Sequence, residues 1–193
     1  MLDLAKAINI DVICFTGAMV KCHNKEFPVS QFNIAGSRFS ALQWGFQPGQ
    51  MTNKSCGITF LIGPRLRKSI VAIHSPPNRL AGRVAGLRVR TTTMDMLLIG
   101  VYMPVKADQA DMRRQPCVRA ILAWISQLLD AAPLRTVPFV LGDLNAKFGY
   151  ESGQEVYTDE YVGFNKSGGA ESTTSRALRE RAEHYDMRFE NTF

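Results

Sequence analysis

The chain has 193 residues, of which 46% are hydrophobic and 21% charged, and it carries a formal net charge of +6. That length fits one domain burying roughly 70% of its unfolded surface, and the composition excludes a largely disordered chain or a repeat array. No apolar run approaches the ~20 residues of a membrane span and no N-terminal stretch has the form of a secretory signal, so the expectation is an intracellular protein, nuclear or cytoplasmic rather than secreted, without a membrane partner.

Residues 2–9 have helical spacing, and residues 11–16 (Asp-Val-Ile-Cys-Phe-Thr) form a compact apolar run of strand length. Residues 21–55 are polar, Gly-rich and irregular, with short strand candidates around 32–35 and 42–46. Residues 57–63 (Gly-Ile-Thr-Phe-Leu-Ile-Gly) are β-branched and aromatic between glycines, which predicts a strand. Another strand is expected over 69–74, ended by Pro76-Pro77.

Residues 84–90 alternate apolar with basic or small side chains, 91–95 make a polar turn, and 96–103 are apolar throughout. This pattern predicts a hairpin of one half-exposed and one fully buried strand. Pro104 stops the second strand just after Tyr102, which therefore stands at its C-terminal end. From 111 to 129 the apolar Val118, Ile121, Leu122, Ile125, Leu128 and Leu129 fall three and four apart, the pattern of an amphipathic helix packed on a sheet.

Pro133 and Pro138 close the next connection and residues 139–141 form a buried strand. Residues 146–172 hold glycines and polar groups without periodicity, a long loop of the functional kind. A second helix is expected from about 174 to 185, and a strand begins at 187. No boundary divides the chain, so residues 1–193 are expected to form a single α/β domain, a sandwich with helices outside.

Four cysteines, Cys14, Cys22, Cys56 and Cys117, lack any C-x-x-C spacing and read as reduced thiols rather than disulfides or zinc ligands. Between residues 61 and 119 eleven bases stand against three acids, leaving +8. Such a surplus suits an anionic partner such as a nucleic-acid backbone, with Arg83 and Arg88 as candidate contacts; a solvated basic face without a partner is the bland alternative.

The most informative stretch is residues 137–149, Val-Pro-Phe-Val-Leu-Gly-Asp-Leu-Asn-Ala-Lys-Phe-Gly. An apolar run delivers Asp143 and Asn145 to its end, two apart, so extended geometry points both to one side. The carboxylate can accept a proton or hold a metal, and the amide can donate to a phosphate oxygen or orient the carboxylate. Alternatively, Asp143 caps a turn, Asn145 is a left-handed turn residue and Tyr102 is a plain strand aromatic.

Three segments carry a resemblance: a strand ending in Tyr102-Met103-Pro104, a strand ending in Gly142-Asp143-Leu144-Asn145, and the terminal Asn191-Thr192-Phe193. With Asp-Val-Ile-Cys-Phe early in the chain and the helix-and-strand segment over 172–192, they resemble the endonuclease/exonuclease/phosphatase superfamily. The likeness is closest to the apurinic-type endonuclease domains of non-LTR retrotransposons.

The resemblance implies a DNase I-like four-layer αββα sandwich with mixed, mostly antiparallel sheets and outer helices. It implies a nuclease cleaving DNA by in-line water attack with Mg²⁺ or Mn²⁺, set in a longer parent protein beside a reverse transcriptase domain. By resemblance Asp143 activates the water and ligates the metal, Asn145 binds the phosphate and steadies Asp143, with a weaker part in metal binding, and Tyr102 contacts the scissile phosphate or the leaving oxygen. A hard cation with oxygen ligands suits in-line attack, which needs charge neutralised on phosphoryl oxygens.

The chain also departs from that pattern. Where the early strand of the family ends in a metal-binding Glu, Gly17 follows Cys14-Phe15-Thr16, and Glu26 lies beyond the strand end. The family's first strand with its Asn, and its last strands with a Ser-Asp-His segment, find no match, so an incomplete sandwich is expected. His23, His74 and His184 have no Asp placed to orient them.

Loss of a positioned acid or base, worth about 10² to 10⁴-fold, compounded with loss of the metal's principal carboxylate, implies a degenerate, inactive domain. The alternative function is a non-catalytic nucleic-acid binding or interaction module on the same fold. An inositol-phosphate phosphatase is the third reading.

Overall fold

The computed structural model describes residues 10–20, 29–34, 36–46, 56–104, 114–146 and 173–187. They form an α/β structure with two mostly antiparallel four-stranded sheets and few helices. The chain divides into two compact units, one comprising the described residues through Tyr102 with Ala131–Asp143, the other Met103–Asp130 with the described residues from Leu144 onward.

The first unit contains both sheets. Strands β1 (Val12–Thr16), β2 (Val29–Ile34), β3 (Ser37–Trp44) and β4 (Ile58–Ile62) make an antiparallel sheet in the order β1-β4-β3-β2. Strands β5 (Ile70–His74), β6 (Val84–Arg90), β7 (Asp95–Tyr102) and β8 (Val137–Asp143) make the other, in the order β5-β6-β7-β8, with β7 and β8 parallel. Helix α1 (Pro64–Arg67) and a 3-10 turn at Asn78–Leu80 lie between strands.

Strands β1, β4, β5, β6, β7 and β8 fall on the runs expected from sequence, but β6, expected half-exposed, is mostly buried on both faces, and β8, expected buried, is an outer strand with Val137 and Phe139 exposed. In the 21–55 stretch the structure differs, because the strands are Val29–Ile34 and Ser37–Trp44, paired as a hairpin around Gly36 at φ +82°. Arg38, Ser40 and Gln43 make β3 look like a loop in sequence. Yet it buries Phe39 and Ala41 on one face and Leu42 and Trp44 on the other, so neither face gives a clean polar alternation.

The two sheets share one core. Leu42, Trp44, Ile58, Phe60 and Ile62 from the first pack with Ala85, Leu87, Val89 and Leu98 from the second. Gly100 lets the layers approach, since a Cβ there would stand 2.7 Å from Ile58 Cγ2 and 3.1 Å from Phe60 Cζ. Burial pushes the Cys14 thiol up to about 12; Cys14, Cys56 and Cys117 are reduced thiols, the form expected, while Cys22 lies outside the described residues.

The β6–β7 hairpin closes through Thr91, whose hydroxyl accepts from the Met94 amide at 3.0 Å and whose own amide donates to the Met94 carbonyl at 2.7 Å. A bidentate pair of Arg88 with Asp95, 2.9 and 2.5 Å, spans the same hairpin. The hydrogen bond from Arg88 holds the Asp95 carboxyl below its usual range. His74 is also lowered, first by burial and then by the Arg88 charge.

Both shifts favour the less protonated form in the folded state, so the unfolded chain takes up protons first as pH falls. Stability from His74 is present above about pH 6.5 and declines as pH drops through its lower folded value; that from Asp95 is present above about pH 3.9 and declines beneath it. Melting curves at stepped pH are expected to show His74→Gln flattening the upper window and Asp95→Asn the lower. Unchanged slopes in both variants would contradict the assignment.

In the second unit α2 (Gln115–Ala131, all but its last residue here) buries Val118, Ile121, Leu122, Trp124 and Ile125. Pro116 sits in its first turn, where the missing N–H costs nothing. Helix α3 (Thr173–His184) ties to it through Arg181 Nε donating to Ser126 Oγ at 3.3 Å and Tyr185 Oη donating to Asp130 Oδ1 at 2.7 Å. It ends in a Schellman motif, Met187 N to Ala182 O at 2.8 Å, with Asp186 at φ +50° where glycine is usual.

The expected helix over 2–9, the loop over 147–172 and the strand beyond 187 lie outside the described residues.

Candidate functional site

Parallel pairing of β7 with β8 sets the geometry of the candidate site. The register runs from Met96↔Val137 to Tyr102↔Asp143, so the last residues of both strands are partners at one end of the sheet. Parallel strands buried on a sheet carry their polar residues at the C-terminal ends, where the ladder stops and the backbone turns away. The sequence accomplishes this with Pro104 after Tyr102 and Gly142 before Asp143.

Gly142 has φ +132°, and a Cβ there would lie 2.1 Å from the Val101 carbonyl oxygen and 2.7 Å from Thr16 Cγ2. Only glycine fits. The same contact shows that the end of β1, Thr16 followed by Gly17, stands beside Gly142 and hence at the Asp143 end of β8.

Asp143 is exposed and Tyr102 is 9% exposed, packed with Phe46 and Cys56. Arg83, at 7% exposure, lies over the Tyr102 ring with its guanidinium carbon 5.2 Å from the centroid. Its Nη1 donates to the Tyr102 carbonyl at 3.4 Å, and the Tyr102 amide donates to the Arg83 carbonyl at 2.8 Å. The sequence offered Arg83 as a nucleic-acid contact from the basic surplus of residues 61–119; the structure places it buried beside the Tyr102 ring.

Asn145 belongs to the second unit and is described within it. It adopts φ +43°, as the turn reading anticipates, and its Nδ2 donates to the Met103 carbonyl at 2.9 Å. Asparagine tolerates this left-handed region better than other non-glycine residues. That amide therefore anchors the chain leaving β7, a role the sequence did not suggest.

Arg88 is engaged by Asp95, whereas Arg67, Lys68, Arg79 and Arg90 are exposed. Arg65 is exposed too but paired with Asp11 at 2.8 and 2.7 Å. No helix among the described residues is long and apolar enough to cross a membrane.

Gly17 has φ +70°, a backbone conformation that side chains rarely adopt. The residue standing where the resemblance expects a metal-binding Glu is thus glycine for a conformational reason, and it contributes no ligand. Among the described residues no group of three or more His, Cys, Asp or Glu comes together. Among the described residues the exposed Asp143 carboxylate and the buried Tyr102 phenol do not by themselves supply the several oxygen ligands a divalent cation takes.

Chemically, the exposed group at this strand end is the Asp143 carboxylate, with the Tyr102 ring buried behind it. Compared with known proteins, the chain matches no family model and no curated protein.

Proposed function

We propose that this chain is an endonuclease/exonuclease/phosphatase-type domain, of the apurinic-endonuclease kind carried by retrotransposons, in which hydrolysis has been lost and affinity for the nucleic-acid backbone kept. The observation that carries the reading is the pairing of Tyr102 with Asp143 at the ends of adjacent parallel strands, beside the end of β1. Two facing sheets with a shared core are what the inner layers of a DNase I-like αββα sandwich require. Glycine at position 17, held at φ +70°, supports the loss of hydrolysis.

The polar strand ends would face a phosphodiester, and the exposed Arg79, on the β5–β6 connection at the same end of the sheet, would neutralise a neighbouring phosphate. Asp143 alone can take a proton from water but cannot offset the charge building on the phosphoryl oxygens, and that stabilisation is usually the largest contribution to catalysis.

Plasmid nicking in Mg²⁺ tests the reading. Neither the chain nor Gly17→Glu is expected to nick above background, and Gly17→Glu is expected to lose about 1–2 kcal/mol of stability to its left-handed backbone. DNA binding is expected to survive EDTA, to weaken steeply with salt, and to lose about one unit of salt slope on Arg79→Gln. Robust nicking by the unaltered chain would overturn the loss of hydrolysis, and no binding at low salt would remove the nucleic-acid reading.

A further inference from the structure

The end of the second sheet opposite Asp143 is built from three hydrogen-bonded turns. Ser69 N donates to the Leu66 carbonyl at 2.9 Å, closing a turn with Arg67 and Lys68 at its centre. Thr91 N donates to the Met94 carbonyl at 2.7 Å around Thr92 and Thr93, and Thr136 N donates to the Pro133 carbonyl at 2.8 Å around Leu134 and Arg135. The turns stand in a row. Arg90 N donates to the Ser69 carbonyl at 2.8 Å, Arg90 pairs with Asp95 in the ladder, and Arg135 lies shortly before Val137, the partner of Met96.

Arg67, Lys68, Arg90 and Arg135 are all exposed. The described carboxylates nearest them in the chain and the ladder, Asp11 and Asp95, are each held in a bidentate grip by another arginine, Arg65 and Arg88. Among the described residues no carboxylate forms an ion pair with any of the four. Internal pairing has thus consumed the local negative charge and left a row of cations fixed at the tips of closed turns, which suits an anionic partner.

The form of the row favours one class of anion. Strands about 4.8 Å apart make a four-stranded end about 14 Å across, over which one nucleic-acid strand presents about four phosphates at ~3.4 Å each. Arginines predominate, and their planar forks take phosphate oxygens two at a time. Exposed Thr92 and Thr93 add hydroxyls, uncharged donors common at backbone contacts. Leu134 and Met94 project singly from separate turns, whereas a protein or lipid partner calls for a continuous apolar patch.

We propose that this end of the second sheet is a second, metal-independent contact surface for a nucleic-acid backbone, with Arg67, Lys68, Arg90 and Arg135 facing phosphates. It rests on the nucleic-acid reading above for the class of partner and adds a surface remote from Asp143. Strand β7, 8 residues long, sets the two ends about 25 Å apart, more than two Debye lengths at physiological salt, so their charges act independently.

Fluorescence anisotropy of a labelled duplex of about 20 base pairs, in EDTA and between about 50 and 200 mM salt, tests the surface. The double variant Arg90→Gln with Arg135→Gln is expected to melt as the wild type does, because exposed unpaired side chains contribute little to stability, and to lose about two units of salt slope. Arg90→Lys with Arg135→Lys keeps both charges and is expected to keep the slope. Arg79→Gln, at the other end, is expected to lose its own unit in either background.

An unshifted slope in the Gln double variant, or a slope lost equally in the Lys double variant, overturns the proposal. If Arg79→Gln alone lowers the slope, the nucleic-acid reading of the Asp143 end stands without the second surface. If the Gln double variant alone lowers it, the second surface stands and the Asp143 end falls. Phosphatidylserine vesicles and polyglutamate form the last arm: binding to either that the Gln double variant loses, with duplex binding unchanged, assigns the row to a lipid or an acidic protein and overturns the proposal. Absence of duplex binding at low salt overturns the proposal and the nucleic-acid reading together.

Discussion

Gly142→Ala is expected to be among the most damaging single substitutions in the chain. At φ +132° any L side chain is strained, and such a residue costs about 1–3 kcal/mol. The added Cβ also meets the Val101 carbonyl oxygen at 2.1 Å, and a ladder oxygen cannot rotate aside as a side chain can. Overpacking typically adds about 1–3 kcal/mol, so a total loss of at least roughly 3 kcal/mol is expected.

Urea unfolding checks this, with Gly36→Ala as the control. Gly36 is at φ +82° but has open space around its Cβ direction, so its variant carries conformational strain alone, about 1 kcal/mol. Equal losses in the two variants would show that the close approach of β8 to β7 is not what requires glycine at 142.

Phe60→Ala is expected to cost about 3–5 kcal/mol. Phe60 is fully buried on β4, a strand with a neighbour on each side, and meets Trp44 edge to face with ring centroids 5.8 Å apart. It also borders the space above Gly100. Removing the ring opens a cavity between the two sheets that their backbones cannot close without breaking register.

A filled cavity should therefore recover part of the loss. The double variant Phe60→Ala with Gly100→Ala is expected to be less destabilised than the sum of the single changes, because the new methyl occupies room the ring has vacated. Chevron or equilibrium denaturation of all four proteins measures the coupling, and strict additivity would contradict contact between the layers at this point.

The strands were legible where burial is total or strictly one-sided. Residues 58–62, 84–90 and 96–102 declare themselves through β-branched and aromatic content, and their boundaries follow from Gly57, Gly63, the Thr91 loop and Pro104. Strand β3 was harder because its two faces enter different apolar clusters, leaving neither a pure run nor a clean alternation. The short helix at Pro64–Arg67 is too brief to carry any periodicity at all.

The site was legible to the level of strand ends. Glycine before an Asp and proline after a Tyr announced where β8 and β7 stop, and the parallel register brings those two residues opposite one another. The role of Arg83 was not legible, since burial of a basic side chain depends on a partner strand 19 residues away in sequence. Nor could the sequence show that Gly17 is left-handed; it showed only that a carboxylate was missing.

Strands β1 and β8 are the outermost strands of their sheets, they stand side by side, and Val137 and Phe139 remain 48% and 39% exposed. Among the described residues nothing pairs with either outer edge. An edge still open while the chain folds is a template for any other strand, including one from a second molecule. Reaching the native state and being captured by a neighbour are therefore processes of different kinetic order, and the yield of refolding is set by dilution as much as by the stability of the core.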